Sequence, residues 1–199
     1  MDELFLLPPV PMVTPRAYWL APRTLSSQFM VVRPSSTEFD RLMSIITTHD
    51  ANQFDMDIVN NLYGNNGIII PHRPYDLLSG EFRADTHAAY LGSDEEVWDP
   101  ISALKEAKFL HFSDWPYPKP WIEARTQMTD ELKPRCHWHG NPEREDCRNQ
   151  EVWVELYTDF ARRREVSRDL ACASPRVDGM VSGYLRYTIC MIIHAQGLT

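Results

Sequence analysis

Positive charge is the scarce commodity in this chain. Twenty Lys and Arg stand against 28 Asp and Glu, a formal net charge of −8 over 199 residues. Binding to a phosphate backbone rests on clustered Lys and Arg, so nucleic acid is not an expected partner. The one basic run, Arg162-Arg163-Arg164, sits among Asp and Glu and reads as a solvated helix face. Long apolar runs are missing too. No stretch of about 18 apolar residues occurs, so no transmembrane segment is expected. The opening MDELFLLPPVPMV is acidic and broken by Pro8, Pro9 and Pro11, the wrong pattern for a signal peptide. Cysteine is sparse, at four residues. Cys136 and Cys147 close a short loop and are compatible with a disulfide in a secretory lumen or with two thiols in cytosol. No internal repeat is visible. Ser79-Gly80-Glu81 lies near His72 without a nucleophile-elbow pattern around it, which removes a serine hydrolase.

What is present is apolar and aromatic: 43% hydrophobic residues, with six Trp, eight Tyr and eight Phe, enough for a real core. A strand is expected at 28–32, ending against Arg33-Pro34. Ser35-Ser36-Thr37 then offers N-cap hydroxyls, and Phe39, Leu42, Met43 and Ile46 recur at i, i+3, i+4, i+7, which predicts a helix with one apolar face. A second helix is expected over 57–63, burying Ile58, Leu62 and Val59 and stopped by Gly64. Asn65-Asn66-Gly67 turns the chain into a strand at 68–70. Asp99-Pro100 opens a helix running to about residue 107. A strand over 108–112 follows and delivers His111 to its C-terminal end, the edge where ligands bind in open α/β sheets. Val152, Trp153, Leu156 and Phe160 mark a helix over about 149–169. Residues 1–24 show no helical period, 127–148 read as polar loop, and the segment from 171 has no usable period. The class is α/β.

Two constellations carry metal-capable groups. Cys136-His137-x-His139 with Cys147 crowds three donors into four residues, and structural zinc prefers two close pairs, so a loop or a disulfide is the better reading. The other is HFSDWPYPKPW (111–121), where prolines fix the backbone around His111, Asp114 and Lys119. It stands in an ordered series with MDELF at the start, LSSQFMVVRPS (25–35), FDMDIVNNLYG (54–64) and PHRPYDLLSG (71–80). That series resembles the family 8 glycosyltransferases, the group of glycogenin and galactinol synthase, over residues 1–121 and more thinly over 149–170.

The resemblance implies a GT-A, Rossmann-like fold and a retaining transfer of a hexose from a UDP-sugar to a glycosyl acceptor with Mn²⁺. It casts His111 as a metal ligand, Lys119 as the cation on the diphosphate and Asp55 as the carboxylate near the anomeric carbon. Ser26 and Ser27 match the sugar-contacting pair, and Asp114 the position whose backbone meets phosphate. Under this reading residues 1–170 are the C-terminal part of the transferase domain and 171–199 a tail. The Asp-x-Asp ligands are expected to precede residue 1, so the chain itself could be inactive. The alternative is a non-catalytic remnant or binding module of the same fold. The resemblance leaves open a cytoplasmic or a Golgi-lumenal setting.

Overall fold

The structure is a computed structural model that describes residues 1–122, 126–138 and 145–173. It is of mixed α/β class with small sheets and divides into two compact units, Met1–Ser113 and Asp114 onward. The reading of a tail over 171–199 falls, from residue 174, outside the described residues.

The first unit is organised by a strand that period-counting misses. Met12–Pro15 (β1) is buried throughout and forms the centre of a three-stranded sheet. Val31–Val32 (β2) pairs with it antiparallel, and Ile68–Ile70 (β3) pairs parallel with Val13 opposite Ile68. Alternation along β1 sends Val13 and Met12 to opposite faces. Val13 packs with Leu4, Ile70 and Tyr75, while Met12 packs with Leu25, Val59 and Tyr63. Each such side chain contributes roughly 1.5–3 kcal/mol through burial. Flanking prolines hide this strand in a stretch read as irregular. The strand expected over 28–32 shrinks to β2 for a related reason. Side chains claim its first residues: Ser26 Oγ accepts from the Gln28 N–H at 3.2 Å, and Thr14 Oγ1 reaches the Phe29 carbonyl at 3.1 Å.

Helix Ser36–Ile46 (α1) forms where its spacing predicts, and Ser35 Oγ accepts from the Glu38 N–H as N-cap at 3.3 Å. Its apolar face is not buried: Phe39 is 61% exposed, and Met43 and Ile46 are exposed as well. Helix Asp55–Tyr63 (α2) starts two residues earlier than the spacing indicates, because Asp57 Oδ2 accepts from the Phe54 N–H at 2.9 Å. It buries Val59 and Tyr63, leaving Ile58 and Leu62 half-buried. Gly64 ends it where a Cβ would lie 2.6 Å from the Asn60 carbonyl oxygen.

His72–Tyr75 (α3), Leu77–Leu78 (β4), Ala88–Leu91 (α4) and Pro100–Glu106 (α5) follow. Asp99 caps α5 through the Ser102 N–H at 2.7 Å. Leu110–His111 (β5) is shorter than expected and pairs parallel with β4, setting His111 opposite Leu78.

The second unit corrects the reading of 127–148 as loop. It holds helix Thr126–Leu132 (α6) and a two-stranded ladder of His137–Trp138 (β6) with Glu145–Asp146 (β7), stapled by a Cys136–Cys147 disulfide. The staple holds elements too short to show periodicity. His139, the remaining member of the zinc reading, lies outside the described residues. Helix Arg148–Ala173 (α7) then supplies Val152, Trp153 and Tyr157 to a buried aromatic interior shared with Tyr117. No helix among the described residues is long and apolar enough to cross a membrane.

Candidate functional site

Four polar side chains of the first unit, Thr14, Ser26, Asp76 and Ser79, are completely buried. Ser79 is bonded: its Oγ accepts from the Ser113 N–H at 2.9 Å, and Ser113 Oγ accepts in return from the Gly80 N–H at 3.1 Å. Thr14 reaches the Ser26 carbonyl. The Ser26 N–H donates to the Pro15 carbonyl at 2.9 Å, and one residue of α2 holds the segment from its other edge. Asn60 Oδ1 accepts from the Leu25 N–H at 2.7 Å, and its Nδ2 donates to the Leu25 carbonyl at 2.9 Å, so the amide stands in for a neighbouring strand. The same helix presents Asp55 at its first turn, and Ser27 Oγ donates to Asp55 Oδ2 at 2.9 Å. Asn60 thus fixes the register that lets Ser27 meet Asp55. It was missed because it lies in a helical pattern where polar positions read as solvent-facing.

Asp76 is the second residue that sequence reasoning missed. It is 0% exposed, and neither carboxylate oxygen makes a hydrogen bond. Burial raises its pKa from 3.8 to about 6, and the nearby Ser26 hydroxyl offsets this in part without reaching hydrogen-bond geometry at either oxygen. The residue before β4 is therefore a desolvated acid next to Ser26, whose neighbour holds Asp55.

The remaining expected site residues belong to different units. His111 belongs to the first unit and is half-buried on β5; Lys119 and Asp114 belong to the second. Asp114, at 3% exposure, accepts from the Tyr157 O–H at 2.8 Å, while its carbonyl accepts from the Tyr117 N–H at 2.7 Å. Its carboxylate anchors the proline-rich segment to α7. Burial pulls the Lys119 ammonium below the usual lysine range, and Asp114 opposes that shift. Among the described residues, the one group of three His, Cys, Asp or Glu donors within reach of a common ion is Cys136, Glu145 and Cys147, and its sulfurs are joined in the disulfide. His111 is in no such group, so the described donors alone do not complete a Mn²⁺ site.

A third arrangement, unforeseen in the sequence, surrounds Glu81. Its Oε1 meets His87 Nδ1 at 2.8 Å, and its Oε2 accepts from the Tyr18 O–H at 3.0 Å. The His87 ring stacks on Trp98 with centroids 4.2 Å apart. A carboxylate on Nδ1 fixes the tautomer and orientation of an imidazole.

Comparison with known proteins bears on these groups. No family model matches the chain, and no solved structure matches it. Curated relatives do. The chain is 43% identical over 179 residues to Glucose N-acetyltransferase 1 of Aspergillus fumigatus, an alignment covering 83% of this chain and 47% of the relative. It is 47% identical over 172 residues to the protein of that name from Gibberella zeae, covering 83% and 37%. The Candida albicans protein of that name is 26% identical over 181 residues, covering 70% and 39%. The chain therefore spans less than half the length of these relatives. Their name corrects the resemblance to the glycogenin and galactinol synthase group: the proteins this chain resembles over most of its length are named as transferases, but not of that family.

Proposed function

We propose that the first unit carries the sugar-binding edge of a transferase, centred on Ser27 and Asp55. The observation that carries the reading is the 2.9 Å bond from Ser27 Oγ to Asp55 Oδ2, which orients an exposed carboxylate at a helix start. The relatives' name, with glucose and a transferred group in it, agrees with a sugar as substrate. The finer form of the proposal is retaining transfer of a hexose from a UDP-sugar to a glycosyl acceptor, on a GT-A-type architecture. Asp55 would then sit against the face of the reacting anomeric carbon, with Ser27 setting its rotamer. In the second unit, taken by itself, the desolvated Lys119 ammonium suits an anion such as a diphosphate. The Cys136–Cys147 disulfide favours an oxidising lumen over the cytosol.

A second reading follows the relatives' name literally: acetyl transfer to the nitrogen of an amino sugar of the glucose series, because glucose itself has no amine to attack. One observation favours it, the Glu81–His87 pair, since an imidazole held by a carboxylate is a suitable general base for deprotonating an attacking amine. The discriminating experiment supplies the whole chain, with Mn²⁺ and a saccharide acceptor, with UDP-glucose or UDP-N-acetylglucosamine labelled in the sugar, or with acetyl-labelled acetyl-coenzyme A. Sugar label released or transferred supports the leading reading. Acetyl label alone supports the second. Neither label moved leaves a binding module, and the transferase proposal fails for this chain.

A further inference from the structure

The buried carboxyl of Asp76 has no structural employment. A buried polar group left without a partner costs folding free energy, and buried charge costs more, so interiors rarely retain one that only packs. Asp114 shows the ordinary arrangement, a buried carboxylate taking a tyrosine hydroxyl. At Asp76 both oxygens lack a bond, although Ser26 is adjacent and Asp76's own backbone N–H is fully used, donating to the His72 carbonyl at 2.7 Å. The segment 26–28 beside it has one backbone bond to the end of β1, from the Ser26 N–H to the Pro15 carbonyl at 2.9 Å, and is otherwise held by side chains, through Thr14 and the Ser26 hydroxyl. Through Ser26, the neighbour of Ser27, Asp76 adjoins the segment that carries the Ser27–Asp55 bond.

We propose that Asp76 is a saccharide-binding residue of the Ser27–Asp55 site, accepting hydrogen bonds from ring hydroxyls of the bound sugar; this rests on the transferase reading above. Sugar hydroxyls are the matching chemistry. They are neutral, supply donors in adjacent pairs, and can satisfy both oxygens of one carboxylate. The acid is thus unsatisfied in the empty protein and satisfied in the complex, which makes its folding cost part of its binding role.

The test uses the full chain, with Asp76→Leu, a near-isostere lacking both oxygens, and Asp76→Asn, which keeps one acceptor. Thermal melting is recorded with and without UDP-glucose and UDP-N-acetylglucosamine, and affinity is taken from calorimetric titration. The expected result is that both variants melt at or above the wild type without ligand. Asp76→Leu then binds the UDP-sugar at least tenfold more weakly, and Asp76→Asn falls between. Variants that melt well below the wild type would mark Asp76 as a structural residue and overturn the proposal. Unchanged affinity in Asp76→Leu, or in Asp76→Asn should the leucine variant not fold, would overturn it equally. A wild type that binds neither UDP-sugar instead sinks the transferase reading, and this inference with it.

Discussion

Two buried aspartates, one in each unit, meet opposite fates. Asp114 takes the Tyr157 hydroxyl and ties a proline-rich segment to a long helix, in an interior of mutually packed aromatic rings. Asp76 lies among buried hydroxyls and backbone and takes nothing. In the second unit the buried carboxylate has a hydroxyl partner of its own, whereas the first unit keeps an acid with neither oxygen bonded, beside Ser26. Satisfaction of the carboxyl, rather than its burial, separates an anchor from a candidate binding group. The resemblance casts Asp114 as a phosphate contact through its backbone, and nothing local in the sequence marks Asp76.

The sharpest way to break the comparison is to hollow out the second unit's interior. Trp153 is fully buried and packs edge-on against Tyr117 and at a tilt against Tyr157, with centroids 4.9 and 4.7 Å away. Trp153→Ala is expected to cost about 3–5 kcal/mol in urea unfolding followed by far-ultraviolet circular dichroism. A loss smaller than about 1 kcal/mol would mean that the second unit does not depend on this ring. Next in size is the staple. Cys136 and Cys147 are 11 residues apart, and opening their bond with reductant should lower stability by about 3 kcal/mol through the loop entropy returned to the unfolded chain. Reduction without effect on melting would show that β6 and β7 hold their pairing without it.

The two aspartates can then be set against each other directly. Tyr157→Phe removes the partner of a buried carboxylate and is expected to destabilise by about 1.5–3 kcal/mol. Asp76→Asn should do the reverse, and in a defined pH window. Burial lifts its folded pKa to about 6, above the ordinary 3.8, so the native protein still holds this proton where the unfolded chain has released it. Wild-type stability therefore declines as pH rises from about 4 to 6 and stays lowered above. Asp76→Asn lacks that decline, and its advantage should open over the same window to at most about 3 kcal/mol. Melting temperatures at pH 4.5 and 7.5 decide it: a gap that is constant or closes with rising pH would show that Asp76 is ionised and satisfied in the native state.

Much of the frame was legible before any coordinates. The cap at Ser35, the Asp99-Pro100 helix start, the isoleucine strand and α7 all announce themselves through local chemistry that the tertiary structure does not override. Strand β1 was illegible because prolines at 11 and 15 mask its alternation, yet both faces of the first unit's sheet depend on it. The apolar face of α1 is legible but its exposure is not, because periodicity reports which residues share a face, not whether anything covers it. Of the candidate site, Ser27 and Asp55 were nominated by resemblance and are brought together by a hydrogen bond. Asn60 and Asp76, which lie 33 and 49 positions after Ser27, act through contacts that no local window contains.

The smallest stability effect should carry the largest functional meaning. Ser27→Ala removes one hydrogen bond to an exposed carboxylate, so it should change stability by no more than about 0.5 kcal/mol. Asn60 continues to hold Leu25 through two bonds and keeps the segment in place. Asp55, however, loses the donor that sets its rotamer, and a carboxylate free to turn is misplaced for a reaction that tolerates roughly 1 Å. Sugar release or transfer from a UDP-sugar should therefore fall about tenfold or more, with Ser27→Thr restoring most of it because the hydroxyl is retained. Circular dichroism melts alongside radiolabel assays separate the two effects. If Ser27→Ala unfolds the first unit, the bond is a structural tie; if neither stability nor turnover changes, the Ser27–Asp55 pair is not where the chemistry occurs.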